Sequence, residues 1–88
     1  MRIVIIATDS AEIGEILMDL ARADGFAPKR IKPRKEVLFD ALKKISQLQK
    51  IREVRIHADK PIADYAENAK PFFKFEINIL PIDAIPKE

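Results

Sequence analysis

Ile3-Val4-Ile5-Ile6-Ala7 decides how the chain is read. A strand with one wet face alternates apolar and polar residues. An unbroken β-branched run is instead buried on both faces, as in the centre of a parallel sheet. Thr8-Asp9-Ser10 follows and reads as a helix start, with Asp9 as N-cap and Glu12 three residues on completing a capping box. Ile13, Ile16, Leu17, Leu20 and Ala21 then recur at the spacing of an amphipathic helix, with Glu12, Glu15, Asp19 and Arg22 on the wet side. Gly25 is placed as the left-handed terminator and Phe26 as its apolar partner.

The pattern repeats along the chain. Ala27 to Lys32 is short and holds Pro28, which suits an edge strand. Pro33 opens a second helix running to about Lys50, with Val37, Leu38, Ala41, Leu42, Ile45 and Leu48 as its stripe. Arg52 to His57 alternates as a third strand. Lys60-Pro61 begins a third helix with Ile62, Tyr65, Ala66 and Ala69 inward, and Lys70-Pro71 ends it. Phe73, Phe75, Ile77 and Ile79 mark a fourth strand, stopped by Pro81, and residues 82–88 read as a tail. The expectation is an α/β fold: one βαβαβαβ domain over residues 1–88. It has three helices and a four-stranded, mostly parallel sheet in the order 2-1-3-4, the fourth strand being a candidate for an antiparallel edge. A ferredoxin-like α+β arrangement is the alternative.

Composition narrows the function classes. The chain has 88 residues, so one core is expected, and a homodimer is a natural way to add buried area. No apolar run approaches the roughly 18 residues of a membrane span, and the strand follows directly on Met1-Arg2, so no signal peptide is expected and the cytoplasm is the default compartment. With no cysteine, disulfides, thiolate catalysis and zinc–thiolate sites are excluded, and the single histidine excludes a His-rich metal site. Abundant Ile, Lys, Arg and Glu with scarce Asn and Gln give a thermophile-like composition. Gly14 and Gly25 are the only glycines and neither falls in a strand-to-helix turn, so no glycine-rich phosphate loop exists and no cofactor is indicated.

In parallel α/β sheets, ligands collect beyond the carboxyl ends of the strands. Here those ends carry Asp9, Asp59 and His57. Two carboxylates and an imidazole are the means of a small metal-assisted hydrolase or phosphotransferase, with His57 in acid–base work and Asp9 and Asp59 on magnesium. Both aspartates also serve as helix caps, and Ser10 lacks the flanking glycines of a nucleophile elbow. Thr8-Asp9-Ser10 at a strand end, then His57, then Asp64 on a helix, is similar to the second half of a ribonuclease H domain. That family's first three strands and two further metal-binding carboxylates have no counterpart in this chain, so the resemblance carries no activity over.

Charge points elsewhere. The net charge is +2, but residues 29–60 carry +7 between flanks of −3 and −2. Lys29, Arg30, Lys32, Arg34 and Lys35 gather at the start of the second helix, where the macrodipole favours anions. A bound phosphate would relieve that conflict, and Lys43, Lys44 and Lys50 extend the charge along the helix. The leading expectation is a non-enzymatic binding module for an anionic partner, nucleic acid or phosphate. A subunit of a larger complex is a third possibility. Phe72, opposite Phe73 and Phe75, is a candidate for a dimer contact.

Overall fold

The computed structural model describes residues 1–48 and 50–82. Four strands, β1 (Arg2–Ala7), β2 (Ala27–Ile31), β3 (Glu53–Ala58) and β4 (Glu76–Pro81), alternate with three helices, α1 (Ala11–Ala23), α2 (Lys35–Ser46) and α3 (Lys60–Ala69). A 3-10 turn, Lys70–Phe72, lies between α3 and β4. The sheet order is β2-β1-β3-β4. Every neighbouring pair is parallel, with Ile5 opposite both Lys29 and Ile56, and Ile56 opposite Ile79. The ferredoxin-like alternative is therefore excluded, and the fourth strand runs parallel.

The layering follows from that order. From β1 the chain steps to one side for β2. It then crosses back over β1 to β3 and continues the same way to β4. Right-handed crossovers place α1 on one face and α2 with α3 on the other, and the core divides in this manner. Leu38, Leu42, Ile62 and Ala66 pack on Ile3, Ile5, Val54, Ile56 and Ile77. Leu17, Ala21, Phe26 and Ile82 pack on Val4 and Ile6. The residues Ile3 through Ala7 are all buried, as the apolar run requires of a central strand. Ile82 is the only tail residue described; 83–88 lie outside the described residues.

The end of α1 is a Schellman motif. Gly25 takes φ +82°, its N–H donates to Arg22 O at 3.1 Å, and the Phe26 N–H donates to Ala21 O at 2.9 Å. Phe26 is buried beside Ala21, the apolar contact that closes such a motif. Other expectations shift. The N-cap of α1 is Ser10, not Asp9: its Oγ accepts from the Ile13 N–H at 3.2 Å. Helix α2 stops at Ser46, short of Lys50, and Leu48 is exposed. Ile16 and Leu20 of α1 are also exposed, because α1 is the only helix on its side of the sheet among the described residues and meets it along Leu17 and Ala21. The fourth strand begins at Glu76; Phe72 belongs to the 3-10 turn, while Phe73 and Phe75 precede the strand and pack on the core from there. No helix among the described residues is long and apolar enough to cross a membrane.

Candidate functional site

Because β1, β2 and β3 are parallel, their three βα junctions open on one edge of the sheet. The chain direction switches between β1 and β3, and there the junctions are tied together. Thr8, 5% exposed, has Oγ1 3.4 Å from Asp59 Oδ1, to which it donates, and accepts from the Ser10 N–H at 3.2 Å. Asp59 occupies the N-cap position of α3, yet its side chain makes no cap bond and turns to Thr8 instead.

Between β1 and β2 the edge opens into a cleft of about 380 Å³ lined by Thr8, Asp9, Arg30, Ile31, Lys32 and Pro33. Arg30 and Pro28 sit opposite Ile6 and Val4 in the register, on the α1 side of the sheet. Arg30 lies against Gly14 of α1, and its Nη2 donates to Ser10 O at 3.4 Å. Lys29 is opposite Ile5 and so faces the other side, as alternation along a strand demands. Arg34 is the N-cap of α2, in extended backbone with no side-chain cap bond. Lys35 leans over α3, its Nζ 5.9 Å from the Tyr65 ring centroid.

The basic cluster is therefore brought to one edge and then fanned out around it. All five cations are exposed. Among the described residues none of them forms an ion pair, whereas Arg2, Arg22, Arg55, Lys60 and Lys70 each pair with a carboxylate. The first turn of α2 holds a single acid, Glu36.

His57 is placed differently from the two aspartates. The strand continues to Ala58, so His57 lies one residue inside its end and opposite Ile6, on the α1 side. It lines a small cavity of about 130 Å³ under α1 with Leu17, Leu20, Arg55 and Leu80, not the cleft that holds Asp9. Burial, and after it the Arg55 charge, holds its imidazole below the ordinary pKa. No group of three or more His, Cys, Asp or Glu among the described residues is placed to hold a metal ion. Asp64 pairs with Lys60 Nζ at 3.0 Å on the exposed side of α3.

Beside His57, Arg55 stacks over Phe26 with Cζ 4.3 Å from the ring centroid and pairs with Glu53 at 3.2 Å. Glu53 also accepts from Asn78 Nδ2 at 2.7 Å, the main reason its carboxyl is held below the usual range.

Sequence reasoning missed a second surface. Phe39 of α2 meets Phe72 and Phe73 at centroid distances of 6.4 and 5.6 Å, and Lys43 and Lys74 flank these rings. The run Lys70-Pro71-Phe72-Phe73-Lys74-Phe75 was the available signal, but its partner on α2 joins it only through the fold. Comparison of the chain with protein-family models, with curated proteins and with solved structures finds no match.

Proposed function

We propose that this chain is a binding module for a phosphate-bearing partner, with the phosphates of nucleic acid as its ligand, held at the edge formed by β2 and the start of α2. The observation that carries the reading is the set of five exposed cations, Lys29, Arg30, Lys32, Arg34 and Lys35, none ion-paired among the described residues. Like charges at this density repel one another, and three of them sit at or beside the positive end of a helix. Such an arrangement works against folding and in favour of capturing an anion. Helix α1 makes the contrast: its start has a hydroxyl cap from Ser10 and an acid, Glu12, in the first turn. At α2 the N-cap residue is Arg34, which offers no acceptor to the first N–H groups. Asp9 contributes one negative charge to the cleft and leaves the cations in excess. The module is assigned to the cytoplasm, where nucleic acid is at hand, and pairing as a homodimer would double the number of cations facing one polyanion.

The test is fluorescence anisotropy with a labelled oligonucleotide across a salt series. Binding should weaken steeply as salt rises, because each phosphate contact releases condensed counterions. A Lys32→Glu/Arg34→Glu double variant should lose binding. Since both residues are exposed, its folding should be intact by circular dichroism. Equal affinity of variant and parent at low salt disproves the assignment.

A further inference from the structure

Helix α2 carries more than a basic start. Lys35, Phe39 and Lys43 recur every four residues and so share one face. Lys35 Nζ is 5.9 Å from the Tyr65 ring centroid, and Lys43 Nζ is 6.0 Å from that of Phe39. Phe39 meets Phe72 edge-on, with planes at 80°, and Phe73 packs between Phe39 and Phe75. Cations and rings thus alternate along the seam where α2 meets α3 and the segment leading into β4. Lys43 and Lys74 stand on the walls of a groove of about 480 Å³ floored by these phenylalanines.

Phe72 is 75% exposed. Its position is fixed by the backbone: Lys70–Phe72 is a 3-10 turn containing Pro71, whose ring locks φ, and the Phe73 N–H closes the turn on Lys70 O at 3.1 Å. A large ring held out in water by a rigid turn, continuous with Phe39 and Phe73, makes an apolar patch of the kind that marks a binding surface. A purely apolar partner would strip water from the Lys43 and Lys74 ammonium groups without replacing it. An acidic peptide would meet the lysines but not the ring faces. A single strand of nucleic acid meets both, because its bases stack on aromatic rings while its phosphates reach the ammonium groups. A duplex keeps its base faces inside.

We infer that the groove at Phe39, Phe72 and Phe75 binds single-stranded nucleic acid by base stacking, with the backbone running along Lys35, Lys43 and Lys74. This rests on the phosphate-binding reading and narrows it to a single strand that continues from the basic edge along α2. From Lys35 to Lys43 the helix rises about 12 Å at 1.5 Å per residue, so the lysine line spans only a short run of nucleotides. Glu36 and Asp40 occupy the adjoining exposed face of α2 and confine the phosphates to the lysine line.

The experiment measures anisotropy of a fluorescein-labelled oligo-dT strand and of a labelled hairpin duplex, at low salt, with the parent chain, Phe72→Ala and Phe72→Trp. Phe72 is exposed, so both variants should fold. The parent should prefer the single strand. Phe72→Ala should lower single-strand affinity about tenfold and leave duplex affinity unchanged. Phe72→Trp should keep the affinity and, in a chain with no other tryptophan, show emission quenched by the stacked base. Equal binding of both probes with no effect of Phe72→Ala overturns the inference and leaves the phosphate reading standing. Failure of the parent to bind either probe overturns both. If Phe72→Ala instead turns a dimer into a monomer by light scattering while strand binding persists, the groove is a contact between copies and the inference fails.

Discussion

Arg30 and Gly14 touch across the seam between β2 and α1. A Cβ built at Gly14 would fall 2.8 Å from Arg30 Cζ and 3.0 Å from Nε. With no side chain at that position, the guanidinium can rest on the first turn of α1, with Nη2 donating to Ser10 O. The glycine thus connects a helix-propensity defect to the aim of a cation in the cleft.

Gly14→Ala separates stability from binding. Alanine favours the helix by roughly 1 kcal/mol over glycine, and the clash is with the far end of a flexible side chain, which can swing away. The urea midpoint should be equal to or above that of the parent, while oligonucleotide affinity falls because Arg30 leaves the cleft. A clear loss of stability would show that the helix, not Arg30, had yielded.

Stability should depend on pH in two separate windows. His57, under α1 and near Arg55, has a folded pKa below its ordinary 6.5. As pH falls the unfolded chain takes the proton first. Stability therefore declines from about pH 6.5 down through the folded value and then levels off. The Glu53 carboxyl, held by Asn78 and Arg55 against the opposing effect of burial, lies below its ordinary 4.5. Its contribution is full above about pH 4.5 and is lost as pH falls through the folded value. Denaturant midpoints measured between about pH 8 and pH 3 should show both declines. His57→Gln should abolish the upper one and Asn78→Ala should shrink the lower. A parent profile flat between about pH 7 and pH 5 contradicts the placement of His57.

Thr8 is the buried polar side chain at the rim and joins two junctions through one hydroxyl. Thr8→Val keeps the bulk but strands the Ser10 N–H and removes a donor from Asp59. The cost should be about 1–3 kcal/mol, the usual penalty for an unpartnered buried group. Thr8→Ser should recover most of it. Equal urea midpoints for Thr8→Val and the parent would mean that the hydroxyl ties nothing together.

The fold was legible where one residue type has one physical use. Five consecutive apolar residues at Ile3–Ala7, most of them β-branched, point to a strand covered on both faces, and Pro28 points to an edge. With β1 central and β2 at an edge, 2-1-3-4 is one of the few orders left, and it is the one the sheet adopts. Gly25 and Phe26 announced the end of α1. Periodicity was less informative about extent. It grouped Ile16 and Leu20 with Leu17, but it says nothing of how much sheet a helix covers, and both are more than half exposed. Between Asp9 and Ser10 both are good caps, and one residue of register decided for Ser10. The rim was foreseeable from the strand-end rule. The position of His57 was not, because the strand runs one residue further, to Ala58, and alternation turns the imidazole under α1. The aromatic groove joins residues around 39 to those around 72, a meeting set by the crossovers and by no local pattern.

Among the described residues, each rung of this sheet joins strands separated by at least one whole helix, since no two consecutive strands form a hairpin. During synthesis β1, the first and greasiest of the four to leave the ribosome, finds its neighbour β2 only after α1 has emerged. It finds β3 only after α2 as well. Until then a β-branched run with two open edges is exposed to other nascent chains. Contacts so distant along the chain also make folding slow for its size. The segment that anchors the finished molecule is thus the one most in need of a chaperone while the polypeptide is being made.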